Sequence, residues 1–363
     1  MKNLKIYNRD YIDSLTLKRE GESKIGEQIL ALEKNSEESI EKQLTKSKAE
    51  YVLLGLPEDI GIKANKGRGG AYSAWLPALS SFLNLQSNNF LSGNEVLVLG
   101  HIDFSDLMEK TALLNLKKPD GIKQARELVI EIDNRVSPLI QAIVNSGKEP
   151  IIIGGGHNNS YGNIKGAALG LNLAKKISSP TINSVNLDAH SDFRAMEGRH
   201  SGNGFSYAFH EGFLNKYAII GLHENYNSDN VLTELKNKSD RINFSVYEDI
   251  FIRESISFKE AIEQAKNFCK ENYIGLEIDL DSIQNIPSSA KTSSGISANQ
   301  ARFYINYLAE NAKIAYLHIP EGAPVLSHIK ADNKTGKLIS YLISDFIKAR
   351  NKFKKTNNII LQD

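Results

Sequence analysis

The segment "INSVNLDAHSDFR" (residues 182–194) begins as an apolar strand and ends in a run of ionisable side chains. Asp188, His190 and Asp192 occupy every second position just beyond its strand-like part. In an extended chain alternate side chains project to one side, so we expect these three groups to converge. Adjacent carboxylates repel and are costly to bury, so the pattern predicts a bound divalent cation. Solvated loop acids are the alternative interpretation.

Eight β-rich runs recur along the chain, and most gaps between them show helical periodicity. The runs span residues 51–56, 95–100, 149–155, 182–188, 217–222, 242–247, 274–281 and 313–319. The helical segments include residues 121–147, 257–273 and 299–312. Strands that alternate with helices predict a parallel sheet covered on both faces. We therefore expect an α/β protein: one three-layer α/β/α domain with an eight-stranded, mostly parallel sheet.

The composition indicates a globular protein that acts on a small molecule. A chain of 363 residues with 41% hydrophobic content can bury a large core. The 44 basic and 43 acidic residues leave a net charge of +1, so nucleic acid and membrane surfaces are not expected partners. Cys269 is the single cysteine, which excludes an internal disulfide and a zinc cluster built on cysteines.

The chain contains no fixed-period repeat and no linker that would divide it. We expect a helical amino-terminal extension over residues 1–48, a catalytic domain over 49–355 and a tail over 356–363. The amino terminus lacks an apolar signal-peptide core, and no run approaches the ~20 apolar residues of a membrane span. A cytoplasmic protein is therefore predicted, and we separately expect a homo-oligomer.

Two further segments carry polar side chains at predicted strand ends. "EIDLDSI" (277–283) places Asp279 and Asp281 two residues apart, and "IIIGGGHNNSYG" (151–162) turns through three glycines to reach His157. A solubility pair on an edge strand is the alternative for the two acids. A phosphate-binding loop is disfavoured for the glycines, because neither GxGxxG nor a P-loop lysine is present. Parallel sheets bind ligands beyond the carboxyl ends of their strands, where all these residues are expected.

Together the three segments predict a dinuclear metal site. Four carboxylates and two imidazoles suit two divalent ions, and manganese is favoured over zinc because no thiolate takes part. Two such ions, ~3.5–4 Å apart, can share a water and deliver it as hydroxide at neutral pH. This chemistry predicts the hydrolysis of a stable C–N or similar bond.

The order GGGH, DAHSD and DLD at successive strand ends resembles the ureohydrolase family, which includes arginase, agmatinase and formimidoylglutamase. The resemblance extends from about residue 51 to 350. It implies one manganese ion held by His157, Asp188, Asp192 and Asp279, and a second held by Asp188, His190, Asp279 and Asp281. Asp188 and Asp279 would then bridge the two ions.

Three local features are similar to the formimidoylglutamase branch. The chain reads GGGH where arginases and agmatinases usually read GGDH, and "RHSGNGF" (199–205) and "GISANQAR" (295–302) match further patterns of that branch. The resemblance implies cleavage of N-formimidoyl-L-glutamate to L-glutamate and formamide, a step of histidine degradation. The alternatives are a guanidino-compound hydrolase that releases urea and, in another class, a metal-binding relative without catalysis.

The candidates for substrate binding are Arg194, Arg199, Ser201, Asn203 and Arg68. Arg194 continues the alternation beyond Asp192, and a guanidinium pairs with a substrate carboxylate through two parallel hydrogen bonds. Formimidoylglutamate has two carboxylates, whereas agmatine is a dication that an arginine there would repel. The alternative for Arg194 is a structural salt bridge within the metal loop.

Proton transfer is the least defined part of the predicted site. Phe205 occupies the position where arginases place a proton-shuttling histidine, so the candidates become Asp192, Asp281, His200 and solvent. The carboxylate that orients the amidine in this family should fall in "LHIPEGAP" (317–324). Strand register favours His318 for this role, and residue type favours Glu321.

Overall fold

The computed structural model describes residues 3–33, 37–327 and 333–360, with residues 357–360 described by their backbone alone. Within these ranges the strands are β1 (Leu4–Ile6), β2 (Leu30–Ala31), β3 (Tyr51–Gly55), β4 (Val96–Ile102), β5 (Glu149–Ile153), β6 (Ile182–Leu187), β7 (Leu214–Leu222), β8 (Ile242–Val246), β9 (Ile274–Ile278) and β10 (Ile314–Ile319). The helices are α1 (Arg9–Leu15), α2 (Ile25–Gln28), α3 (Ile40–Lys46), α4 (Ile60–Ala64), α5 (Trp75–Leu83), α6 (Ser105–Ala112), α7 (Pro119–Asn145), α8 (Asn159–Leu173), α9 (Gly204–His210), α10 (Asp229–Asn237), α11 (Tyr247–Phe251), α12 (Phe258–Cys269), α13 (Ala298–Asn311) and α14 (Lys334–Ile360).

All the strands belong to one sheet, in the order β1-β4-β3-β5-β10-β9-β6-β7-β8, with β2 also paired to β4. Every pairing is parallel except that of β1 with β4. The eight predicted strands are all present. In the described residues the sheet has ten strands rather than eight, because β1 and β2 each pair with a different part of β4. Segments of three and two residues are too short to show a period in the sequence.

The amino-terminal segment is therefore not only helical. It contains α1, α2 and α3, and its two short strands extend the sheet. At the other end of the chain, α14 runs through residue 356, where we expected the tail to begin. Residues 361–363 of that predicted tail lie outside the described residues.

Apolar side chains alternate between the two faces of the sheet. In β5, Ile151 and Ile153 pack into one buried cluster with α5, α13 and α14, whereas Ile152 packs into the other with α7 and α8. Two clusters on opposite faces make the predicted three-layer α/β/α architecture. None of the helices in the described ranges combines the length and the apolar character that a membrane span requires.

A largely buried ion pair holds the starting end of β5. The guanidinium of Arg350 in α14 donates to both carboxylate oxygens of Glu149, at 2.8 and 2.9 Å. Arg350 also donates to the backbone carbonyls of Ala309 and Ala312 at the end of α13. The amino end of this central strand is thus tied to the helical layer, while its carboxyl end leads into the functional site.

Candidate metal centre

The glycines of "GGGH" shape the turn that follows β5. Gly154 and Gly155 have φ values of 84° and 74°, a region that side chains with a Cβ rarely adopt. Glu58, just beyond β3, accepts hydrogen bonds from the Gly156 amide at 3.0 Å and from Asn159 Nδ2 at 2.6 Å. This buried carboxylate holds the turn in place, and the turn carries His157 to the carboxyl edge of the sheet.

The DAHSD segment curves instead of continuing β6. The strand ends at Leu187, Asp188 Oδ1 accepts from the His190 amide at 2.7 Å, and Asp192 has a φ of 45°. The expectation of three side chains in line on an extended strand is therefore wrong in detail. They converge because the loop folds over the strand end, and Asp192 adopts a conformation that is unfavourable for most residues.

The DLD segment also lies beyond its strand. β9 ends at Ile278, one residue before Asp279, whereas we expected it to reach residue 281. Asp279 Oδ1 accepts from the Asp281 amide at 2.7 Å, and this bond caps a short 3₁₀ turn over Leu280–Ser282. The turn keeps both carboxylates at the edge of the sheet, and Leu280 is buried in the core.

The structure brings all six predicted ligands together in two overlapping groups. His157 Nδ1 lies 3.3 Å from Asp188 Oδ2, 2.9 Å from Asp192 Oδ2 and 3.0 Å from Asp279 Oδ2. His190 Nδ1 lies 3.5 Å from Asp188 Oδ1 and 3.3 Å from Asp281 Oδ2. Within each group one ligand atom per residue lies within 4.8 Å of the others, and Asp188 belongs to both. The site is bordered by four adjacent central strands, β5, β10, β9 and β6.

The electrostatics of the cluster favour a bound cation. Burial and the neighbouring Asp281 raise the pKa of Asp279 well above its usual value, and burial with Asp188 raises that of Asp192 to about 6. Asp281 Oδ1 is buried without a hydrogen-bond partner. Four crowded carboxylates and an orphaned oxygen need positive charge, and this donor set without a thiolate suits a pair of Mn²⁺ ions.

A cavity of about 380 Å³ opens onto this cluster. Its walls include His190, Asp192, Arg194, Asp279, Asp281 and Glu321, together with Asn65, Tyr226 and Ser289. A second cavity of about 780 Å³ adjoins it and shares His190, Tyr226 and Ser289. The carboxylates and the guanidinium give the first cavity a negatively charged floor and a positively charged wall.

Two of the predicted substrate-binding residues line these cavities. Arg194 is exposed, and its Nη1 donates to Asn65 Oδ1 at 2.7 Å. Arg68 is exposed and lines the adjoining cavity. Both side chains therefore lie where an anionic part of a substrate can reach them, and their binding roles stay predictions.

The loop at residues 199–203 has a structural role that the sequence did not reveal. Arg199 is buried and donates two hydrogen bonds to the carboxylate of Asp133, from Nε at 2.9 Å and from Nη2 at 3.2 Å. Its Nη1 donates to Asn203 Oδ1. Ser201 accepts from Asn65 Nδ2 at 3.2 Å. Arg199, Ser201 and Asn203 do not line the metal cavity, and their contact with substrate stays a prediction. Ser201 thus binds Asn65, which in turn accepts a hydrogen bond from Arg194.

His200 is likewise not placed to supply a proton. It is fully buried, its Nδ1 accepts from the Gly202 amide at 3.1 Å, and it does not line the metal cavity. Burial and the nearby Arg126 lower its pKa to about 3, so the ring is neutral. The structure therefore disfavours His200, and Asp192 and Asp281 are the proton-transfer candidates that reach the cavity.

For the residue that orients the amidine, the structure distinguishes between the two candidates. Glu321 lines the cavity, its Oε1 accepts from the His157 amide at 2.9 Å, and burial with Asp281 raises its pKa to about 8. His318 is fully buried beneath the site, 2.6 Å from Glu277 Oε2 through Nδ1. The position of Glu321 at the cavity favours it for this role, and the burial of His318 disfavours a direct contact with substrate.

Two residues near the metal ligands were missed. Glu277 lies two positions before Asp279 in "EIDLD", so the same alternation that identified the two aspartates could have identified it. Tyr226 stacks on His190 with ring centroids 5.4 Å apart, and it stacks in turn on His223 at 4.9 Å. Only the position of "GLHENYN" (221–227) after a strand hinted at this contact.

A parallel α/β sheet with four aspartates and two histidines at its carboxyl edge defines a dinuclear metallohydrolase type of site. The Arginase family profile matches residues 49–348, and the chain belongs to this family. The resemblance that the strand-end motifs indicated is therefore confirmed.

Several relatives carry the name of the predicted branch. A formimidoylglutamase from Streptococcus pyogenes serotype M3 is 27% identical over 302 residues, which cover 81% of this chain and 82% of the relative. The crystal structure of the Bacillus subtilis formimidoylglutamase superposes with a TM-score of 0.67 at 18% identity, covering 92% of this chain and 94% of that one. The Trypanosoma cruzi formiminoglutamase, solved with two Mn²⁺ ions, gives a TM-score of 0.65 at 18% identity over 90% and 98%. These structures share the fold of this chain.

Proposed function

We propose that the protein is a manganese-dependent hydrolase that cleaves N-formimidoyl-L-glutamate to L-glutamate and formamide. The observation that carries the proposal is the cavity itself, with buried carboxylates and imidazoles at its floor and the guanidinium of Arg194 in its wall. The names of the relatives support the same substrate.

The metal-binding residues fit two Mn²⁺ ions. His157, Asp188, Asp192 and Asp279 would hold one, and Asp188, His190, Asp279 and Asp281 the other, as the family resemblance implies. When bound, the two ions supply Lewis-acid chemistry, since they make water a better nucleophile at neutral pH and polarise the amidine.

The side chains of the cavity have separate tasks in this reaction. Glu321 accepts hydrogen bonds from the amidine nitrogens, and Arg194 pairs with a substrate carboxylate on the other side of the cavity. Water adds to the amidine carbon, and the bond from this carbon to the glutamate nitrogen breaks. The leaving nitrogen must gain a proton, and Asp192 or Asp281 lies at the cavity to carry it.

Three further features belong to the same proposal. The substrate is a small amino-acid derivative, which suits a cavity of about 380 Å³. A cytoplasmic location and a homo-oligomeric state stay predictions. Cell fractionation can test the first, and light scattering can test the second. Arg68 extends the binding surface into the adjoining cavity.

A product assay tests the proposal. The manganese-loaded protein is incubated with formimidoylglutamate, arginine and agmatine, and the release of formamide and urea is measured separately. We expect formamide from formimidoylglutamate and little urea from agmatine, because agmatine has no carboxylate and is repelled by Arg194. Efficient urea release from arginine or agmatine would instead identify a guanidino-compound hydrolase. If none of the three substrates is turned over, the proposal that the protein is an enzyme of this kind is contradicted.

A further inference from the structure

Glu277 forms a second layer beneath the predicted metal ligands. It lies in β9 and is fully buried, two residues before Asp279, on the side of the strand that faces the site. It does not line the cavity and lies behind the predicted metal ligands. A buried carboxylate at this depth is costly unless neighbouring groups bind it.

Three donors surround this carboxylate. Tyr316 donates its hydroxyl hydrogen to Glu277 Oε1 at 2.6 Å, and His318 Nδ1 lies 2.6 Å from Oε2. Both donors come from β10, the adjacent parallel strand, where His318 pairs in register with Glu277. Because the two strands fix both partners, the carboxylate has little freedom to turn.

The third contact reaches a predicted metal ligand. His157 Nε2 lies 3.3 Å from Glu277 Oε2, while Nδ1 of the same ring faces Asp188, Asp192 and Asp279. The ring edge also packs against Phe205, with centroids 5.2 Å apart and planes at 84°. One ring nitrogen thus meets the site, and the other meets a fixed carboxylate.

We propose that Glu277 is a positioning residue for the metal centre, and that it acts through His157. The anionic carboxylate 3.3 Å from Nε2 favours the tautomer that carries its hydrogen on this nitrogen, which leaves the lone pair of Nδ1 directed at the aspartates and makes Nδ1 a stronger ligand. Tyr316 and His318 hold Glu277 in that position. His190 has no such carboxylate among the described contacts of its Nε2; it is 29% exposed and stacks on Tyr226.

The two ions are therefore supported differently. The ion at His157 would depend on the buried contact between Nε2 and the Glu277 carboxylate, whereas the ion at His190 would depend on stacking at the open side of the site. Loss of the Glu277 charge should weaken the first ion and spare most of the affinity for the second.

Manganese binding to the Glu277→Gln variant tests the inference, which rests on the proposed metal site but not on the proposed substrate. Glutamine is nearly isosteric: its oxygen can still accept from His157 and His318, and its amide can donate to the Tyr316 oxygen. Metal-free proteins are titrated with Mn²⁺, and free Mn²⁺ is followed by electron paramagnetic resonance. The matched control is Asp133→Asn, which removes a buried carboxylate that pairs with Arg199 away from the metal cavity.

The parent should bind two ions, and Glu277→Gln, which removes the negative charge behind His157, should bind one of them about 10–100-fold more weakly, the range typical of changes to the partner of a metal-binding histidine. Asp133→Asn should lower the thermal midpoint and leave both affinities unchanged. Equal binding by parent and Glu277→Gln would overturn the inference alone, and a parent that binds no Mn²⁺ would overturn the proposed function with it.

A second variant keeps the test decisive if Glu277→Gln does not fold. Tyr316→Phe keeps the ring and the carboxylate and removes one of the donors that hold it. We expect a several-fold weakening of one ion, in the same direction. Unchanged binding by a folded Tyr316→Phe variant would then overturn the inference.

Discussion

Arg194 Nη1 donates to Asn65 Oδ1 at 2.7 Å, and this contact fixes the guanidinium at the wall of the metal cavity. Asn65 is itself bound to Ser201 through Nδ2 at 3.2 Å. A cation held in this way, without a carboxylate partner among its described contacts, remains available to an anionic substrate.

The first prediction concerns this guanidinium. Arg194→Ala should lower kcat/KM for formimidoylglutamate by about 10–150-fold, because a charge-assisted pair contributes ~1.5–3 kcal/mol. Arg194→Lys should recover only part of the loss, since a lysine lacks two parallel donors. Metal content should match the parent in both variants. If Arg194→Ala instead loses metal and harms every substrate equally, Arg194 braces the loop and does not bind substrate.

A second prediction separates a metal ligand from its sequence neighbour. Asp279→Asn removes a negative charge from the cluster and should reduce activity by several orders of magnitude. Leu280→Val trims a buried core side chain and should cost less than about tenfold in activity. Steady-state rates of both variants, each with its manganese content, provide the comparison. Similar losses in the two variants would mean that Asp279 does not bind the metal.

Metal removal should destabilise the protein as well as inactivate it. Without a cation, Asp188, Asp192, Asp279 and Asp281 repel one another in a buried site, and metal that binds only the folded state adds to its stability. Chelation should therefore lower the midpoint of thermal unfolding, and added Mn²⁺ should restore both the midpoint and the activity. A fully active protein from which all metal has been removed would contradict this account.

The neutral, buried ring of His200 should make stability sensitive to acid. Its pKa is about 3 in the folded protein and 6.5 in an unfolded chain, so the unfolded state binds the proton first as the pH falls. Stability from this group is complete above pH 6.5 and is lost as the pH falls from 6.5 towards 3. At pH 5 the loss amounts to about 2 kcal/mol.

The His200→Asn variant isolates this contribution, because an asparagine oxygen can still accept from the Gly202 amide. The free energy of unfolding, measured by denaturant titration at pH 7.5 and pH 5, should fall less in the variant than in the parent. The difference between the two pH values matters, since the smaller side chain also lowers stability at both. Equal pH dependence in parent and variant would show that His200 is not buried in its neutral form.

Local patterns were enough to predict eight of the strands and the residues that cluster at the carboxyl edge of the sheet. Apolar runs predicted the eight long strands, and Gly154 and Gly155 indicated the turn that leads to His157. The short strands β1 and β2 had no such signal, because their pairing with β4 depends on contacts remote in sequence. The same limit applied to the loop arginines.

Arg199 and Arg194 look alike in the sequence, yet one is buried against Asp133, 66 residues earlier, and the other borders the cavity. No spacing rule distinguishes them, because the partner comes from α7. The curvature of the DAHSD loop was hidden for a related reason. Asp192 adopts a positive φ, which is uncommon for residues other than glycine, so only the packed site reveals it.

The ion pair between Glu149 and Arg350 also sets an order of events during synthesis. The two residues are 201 positions apart, so β5 leaves the ribosome long before Arg350 is available to pair with Glu149. At ~5–20 residues per second, the wait is roughly 10–40 s. During this interval the central strand, which leads to His157, carries an unpaired carboxylate at its start, so the metal-binding edge should mature only after α14 has emerged and docked.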